Sequence, residues 1–245
     1  WQSSMNTYNE IDIMFSKEIK EGTKKSHSAA ENTKFVAGFL RGVVDPEEYR
    51  KLLTNFWFVY DTMEKRIQKT RDPLAKTLQQ WQAVLNRTSF LERDLVYYYG
   101  PYWREKQVQS DACKTYCYRI NEVADKDPYL LIAHHYTRYI GDLSGGQILR
   151  GIAKSALQPP TGEGLNFYDF PRIDDAKEWK TNYRSVLDTL SLDEHQRNTL
   201  ITEANYAFRL NMYLFDEVKS TDAYPALTAL KGFWKVITGS IIKNK

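Results

Sequence analysis

Apolar residues recur along most of the chain at three- and four-residue steps, the spacing of one buried helix face. Leu52, Leu53, Phe56, Trp57, Tyr60, Met63 and Ile67 form one such stripe. Asp45-Pro46-Glu47-Glu48 precedes it, with an N-cap residue, a proline at the first helical position and early acid. Ile201, Ala204, Phe208, Asn211, Phe215 and Val218 form a second stripe, behind a predicted capping box at Ser191-Leu192-Asp193-Glu194. Asp127-Pro128 predicts the start of a third helix that runs to about Leu157. Further helices are predicted over 11–30, 33–41, 89–99, 111–124, 174–190 and 222–237, and Pro159-Pro160-Thr161-Gly162-Glu163-Gly164 is the clearest loop. Strand-like alternation is nearly absent. The pattern predicts one all-α domain of eight or nine helices.

Composition narrows the partners. The 245 residues carry 34 Lys and Arg against 31 Asp and Glu, a net charge of +3, too small an excess to point to nucleic acid. Two cysteines, Cys113 and Cys117, make no disulfide framework and no zinc spacing, as expected of a reducing compartment or one indifferent to redox. No stretch reads as a membrane span; the nearest, 230–242, is broken by Lys231 and Lys235 and reads as an amphipathic packing segment. The chain opens on Trp1, with Met5 one natural start, so residues 1–9 are set aside as an extension.

Residues 133–147 conflict with their own pattern. They sit inside a helical run yet hold Gly141, Gly145 and Gly146, with Gly151 soon after. Each glycine costs roughly 0.5–1 kcal/mol relative to Ala inside a helix. A tight helix crossing, a kink or a ligand lying on bare backbone would each account for them. Arg138 and Asp142, four apart, with Ser144 beside the glycines, suit a site better than a plain crossing. Among the histidines, His195 reads as solvated, while His134 and His135 read as core hydrogen-bonding residues. His27 stands seven residues after Lys20, about 10 Å along one helix face, with Glu31 four residues further on. That arrangement suits an axial imidazole with a cation placed for a porphyrin propionate; a surface histidine on a basic helix is the plain alternative.

The run Tyr136-Thr137-Arg138-Tyr139-Ile140-Gly141-Asp142-Leu143-Ser144-Gly145-Gly146-Gln147 resembles the signature of the heme oxygenase family. The segment KEGTKKSHSAAEN from Lys20 to Asn32 resembles the family's proximal helix, in the wording of its cyanobacterial and plastid branch. Segments 179–184 and 204–215 resemble its later helices, and the likeness extends from Phe15 to about Lys219. His135 stands where the family often has a small residue.

The resemblance implies a single-domain helical bundle over 10–220, with a C-terminal helical tail at 221–245, and heme held between a proximal helix and a kinked, glycine-rich distal one. It implies that His27 is the axial ligand of the heme iron, with Glu31 beside it. Gly141 and Gly145 would lie against heme and bound O2, and Asp142 would organise distal waters. Arg138, Tyr60, His134 and Asn211 would be partners in that network. Lys20, Lys180 and Arg184 would anchor the propionates, with Tyr136 and Ser144 at the same edge, and Phe208 and Phe215 would line the pocket. The implied reaction opens heme at the α-meso carbon to biliverdin, carbon monoxide and ferrous iron. The implied setting is a monomer in a plastid stroma or cyanobacterial-type cytoplasm, served by ferredoxin and feeding a bilin reductase. A heme carrier without turnover, which could dispense with Asp142, and a helical interaction protein without heme, which could dispense with His27, are the rivals.

Overall fold

A computed structural model describes residues 14–160 and 163–218, and every regular element among them is helical. The predicted helix at 222–237 and the extension at 1–9 lie outside the described residues. The α-helices are α1 (Phe15–Gly22), α2 (Lys24–Glu31), α3 (Lys34–Leu40), α4 (Pro46–Lys69), α5 (Gln82–Leu85), α6 (Thr88–Tyr99), α7 (Trp103–Lys106), α8 (Asp111–Lys126), α9 (Leu131–His135), α10 (Gln147–Leu157), α11 (Ala176–Asp188) and α12 (Glu194–Glu217). The helices are thus shorter and more numerous than the hydrophobic pattern predicts.

The Asp45 carboxylate starts α4 by accepting from the backbone N–H of Glu47 and Glu48 at 2.8 and 2.9 Å. α4 then buries Leu52, Leu53, Phe56, Tyr60, Met63 and Ile67 and packs against α6 and α8. α12 closes the opposite side, resting on α8, α9, α1 and α2. Its capping box lies two residues beyond the predicted one. Asp193 accepts from the Gln196 N–H at 2.7 Å, and Gln196 Oε1 accepts from the Asp193 N–H at 3.0 Å. The deepest stripe of α12 is Leu200, Ala204, Ala207, Leu210 and Leu214, which leaves Phe208 and Phe215 half-buried at its edge.

The helix predicted over 11–30 is two, parted at Thr23, whose hydroxyl donates to the Ile19 carbonyl at 2.7 Å. The preceding Gly22 lies on α12 so closely that a Cβ there would stand 2.5 Å from Ile201 Cγ2. The long helix expected from Pro128 to Leu157 follows one helical path with uneven hydrogen bonding. A 3-10 turn (Pro128–Leu130) leads into α9, then two wide π turns (Tyr136–Ile140 and Asp142–Gly146) lead into α10. Gly141 joins the two π turns at φ −62°, ψ −49°. Glycines favour such a departure because they weaken the regular ladder. A 3-10 turn at Asn166–Tyr168 buttresses this path. Asp94 fastens it, its carboxylate accepting from the Asn166 and Phe167 N–H groups at 2.8 and 2.7 Å, and Gln147 Nε2 donates to the Tyr168 carbonyl at 2.9 Å.

Candidate active site

The two π turns and α4 meet in a buried polar cluster. Tyr60 from α4 donates its hydroxyl proton to Asp142 Oδ2. Arg138, one turn before Asp142, donates to the Tyr60 hydroxyl at 3.0 Å, to Asp142 Oδ1 at 3.2 Å and to Asn211 Oδ1 at 2.5 Å. Asn211 in turn donates to the Tyr116 hydroxyl at 3.3 Å. The Arg138 guanidinium also lies 4.4 Å from the centre of the Phe56 ring. All four predicted members are buried, so each charge depends on its partner. Burial pushes the Asp142 carboxyl up from the usual carboxylate range, while Arg138 and the Tyr60 hydroxyl pull against it. Such a carboxyl holds a proton more readily than a solvated aspartate.

Beside this cluster the backbone is bare. Gly141 is exposed, and a Cβ there would meet no neighbouring atom within 4 Å, so a flat group can lie directly on the helix. Gly145 is buried one turn on.

His27 projects from α2 with its ring edge-on to Phe208 of α12, ring centres 5.6 Å apart. Its Nδ1 lies 3.3 Å from Glu31 Oε1. Burial lowers the imidazole's proton affinity, which favours its neutral form, and raises the Glu31 carboxyl to about 7. Phe215 stacks on Phe35, centres 5.7 Å apart, and meets Phe56 edge-on at 6.3 Å.

A third group gathers cations. Lys180 of α11 donates to Ser144 Oγ at 2.9 Å and to the Leu143 carbonyl at 3.4 Å, which ties α11 to the second π turn. Burial and the neighbouring Arg184 lower its ammonium's proton affinity. Arg184 also lies close enough to Tyr136 to oppose the upward push of burial on that phenol.

Residues 13–217 match the family model described as heme oxygenase. The chain is 48% identical over 205 residues to a heme oxygenase from Porphyra purpurea, covering 83% of this chain and 86% of that one. It is 47% identical over 202 residues to heme oxygenase 1 from a Nostoc strain, covering 82% and 84%. The crystal structure of heme oxygenase-1 from Synechocystis in complex with heme superposes with a TM-score of 0.81 at 41% identity, covering 93% of this chain and 99% of that one. The chain belongs to the heme oxygenase family.

Within this heme oxygenase fold, two predicted residues stand apart from the groups above. His134 turns from Asp142 toward Glu203, its Nε2 2.9 Å from Oε1, and meets the network only through its ring, 5.6 Å from that of Tyr116. Lys20 is exposed in the last turn of α1, with the break at Thr23 between it and His27, so their spacing no longer fixes a shared face. Conversely, Tyr116, Glu64 and Tyr139 border the cluster, with no role assigned to them from the sequence. Tyr139 donates to the buried Glu64 carboxylate at 3.0 Å, and its ring lies 5.5 Å from that of Tyr60. Their signal was an ionisable residue next to a core stripe, as Glu64 follows Met63. His135, where the resemblance implies a small residue, lies between Trp81, Tyr139 and Tyr183. Among the described residues no helix is long and apolar enough to cross a membrane.

Proposed function

We propose that the chain opens heme at the α-meso carbon with O2 and electrons from reduced ferredoxin, giving biliverdin IXα, carbon monoxide and ferrous iron. The observation that carries this reading is the open backbone face at Gly141 directly beside the buried Tyr60–Asp142–Arg138 cluster. Heme supplies the iron at which oxygen reacts and is itself the ring that is opened. His27 supplies a neutral imidazole to that iron, and Glu31 beside Nδ1 orients the ring. Gly141 admits the macrocycle to the helix backbone. Asp142 organises the distal waters beside that face, and Arg138 and Tyr60 hold its carboxylate in place. Lys180, Arg184 and Lys20 supply cations for the propionates, which selects the ring edge that meets the oxygen. Tyr136 and Ser144 line that edge, and Phe208, beside His27, and Phe215, against Phe35 and Phe56, line the pocket. The exposed Lys24 and Lys25 on the helix of His27 suit an acidic ferredoxin as donor. A plastid stroma or cyanobacterial-type cytoplasm and a downstream bilin reductase accord with the red algal and cyanobacterial relatives.

The test is to supply hemin, O2, reduced ferredoxin and its reductase, and to identify the pigment by absorbance and isomer chromatography. Biliverdin IXα is expected. A different isomer overturns the regiochemistry, and hemin left intact overturns the activity.

A further inference from the structure

Next to the site lies a buried Tyr–His contact that the reaction above does not use. Tyr183 of α11 and His135 at the end of α9 have their rings stacked, with centres 5.6 Å apart and planes within 5°. The Tyr183 hydroxyl lies 2.8 Å from His135 Nδ1, and both side chains are buried. A buried hydroxyl proton needs an acceptor, and Nδ1 is the acceptor in reach among the described contacts of Tyr183. Burial holds the imidazole's proton affinity down to about 3, so its lone pair stays available across physiological pH.

We propose that Tyr183 and His135 form a redox-active pair, in which Tyr183 gives up one electron while its phenolic proton passes to His135 Nδ1. The O–H bond of Tyr183 breaks, an N–H bond forms at Nδ1, and the electron reduces the oxidant by one equivalent. A neutral tyrosyl radical and an imidazolium remain. An oxidised phenol is a far stronger acid than any imidazolium, so even this poorly basic histidine takes the proton.

Aromatic rings connect the pair in both directions. Toward the site, His135 lies 4.5 Å from Tyr139, and Tyr139 lies 5.5 Å from Tyr60, whose hydroxyl bonds Asp142. Toward the surface, Tyr183 lies 4.3 Å from Trp81 and 5.5 Å from the half-buried Trp179. Tyr and Trp are the side chains most readily oxidised by one electron, and here, with His135 between Tyr139 and Tyr183, they run ring to ring from the distal network to α11. The oxidant is the heme site after reaction with a peroxide, in events that spare the porphyrin; this identity alone rests on the function proposed above. The pair then carries the oxidising equivalent away from Asp142 to a place where a small reductant quenches it.

The test incorporates 3-fluorotyrosine at position 183, so that a radical there carries fluorine splitting in its electron paramagnetic resonance spectrum. One arm oxidises the heme-free chain with photogenerated tris(bipyridine)ruthenium(III). The other freeze-quenches the hemin-loaded chain after hydrogen peroxide. Both are expected to give a fluorine-split tyrosyl signal, which Tyr183→Phe removes and His135→Phe reduces to a small fraction. A signal without fluorine splitting in the heme-free arm overturns the pair, as does full intensity in His135→Phe. A split signal with the ruthenium oxidant but not with peroxide, where absorbance shows hemin bound, overturns the wiring to the site. A split signal in a chain that leaves the hemin spectrum unchanged keeps the pair and overturns the heme reading instead.

Discussion

Replacing Gly141 with alanine should move stability and heme binding in opposite directions. Its backbone angles are ordinary for any helical residue, and a Cβ would meet nothing within 4 Å. In the heme-free chain Gly141→Ala therefore removes only the conformational freedom of glycine, a gain of about 0.5–1 kcal/mol. For a domain of roughly 200 residues this raises Tm by about 1–4 °C. With heme present, the same methyl projects into the face where the porphyrin would lie. Overpacking of that kind costs about 1–3 kcal/mol, or roughly 5- to 150-fold in affinity. Differential scanning calorimetry without heme and absorbance titration with hemin measure the two effects on one preparation. A lower Tm would show that the Gly141 face is not open. Unchanged hemin affinity, together with undiminished pigment yield, would show that the substrate does not lie on it.

Asp142→Ala should bind hemin nearly as well as the parent yet lose ring opening, with oxidising equivalents diverted to peroxidase-like turnover; biliverdin formed at the parent rate would refute the role given to Asp142. His27→Ala should lose both the axial bond and turnover, with free imidazole restoring part of each, and normal turnover without imidazole would exclude His27 as the ligand. Charge reversal at Lys24 and Lys25, both to glutamate, should slow ferredoxin-driven turnover, and the parent rate should fall with salt as screening shortens to about 8–10 Å; a flat salt response and an unaffected variant would remove this surface as the docking site. Glu203 gives a pH prediction. Its burial favours the protonated form, but bonds from His134 and Arg119 prevail and hold the carboxyl at about 2. A depressed carboxyl stabilises the fold fully above its ordinary 4.5 and loses that contribution as pH falls through about 2. Glu203→Gln should flatten the acid limb of stability, by on the order of 2 kcal/mol after allowing for partial solvent screening at Arg119. Parallel acid limbs in urea titrations of the two proteins would refute it.

The sequence disclosed most where local signals agree. The cap at Asp45 leads directly into the stripe of α4, and Asn211, the polar member of the second apolar stripe, is buried and bonded to Arg138. The glycines of the signature contradicted their own helix, and the structure shows an altered hydrogen-bond ladder there. Hydrophobic period carries no trace of that ladder, so the π turns themselves were invisible. The Tyr60–Asp142 bond joins residues 82 apart, and the Tyr139–Glu64 bond joins residues 75 apart. Such pairings depend on how helices dock. The resemblance groups His134 with the distal network, while its buried side chain bonds Glu203 on α12, as the reading of it as a core hydrogen-bonding residue predicts. On α12 the predicted stripe holds the buried Ala204, Asn211 and Val218, but its aromatics Phe208 and Phe215 sit at the edge because Ala207, Leu210 and Leu214 do the close packing.

The two π turns also set how the gene can vary in length. Each is a place where a helix has absorbed a surplus residue without breaking, so that the helix beyond it keeps its face. Deleting one residue between Tyr136 and Gly146 could restore a plain α-helical ladder and leave α10 set as it is, whereas deleting one residue between Gln147 and Ala153 would turn the rest of α10 by about 100°. Ala153, fully buried on that helix, would then swing out of the core, and its polar neighbours Lys154 and Ser155 would be brought toward it. A single-residue deletion in a π turn therefore acts locally, whereas one in the α-helical turns acts on the whole helix downstream. Variation in length along this helix should fall in the two π turns and spare α10.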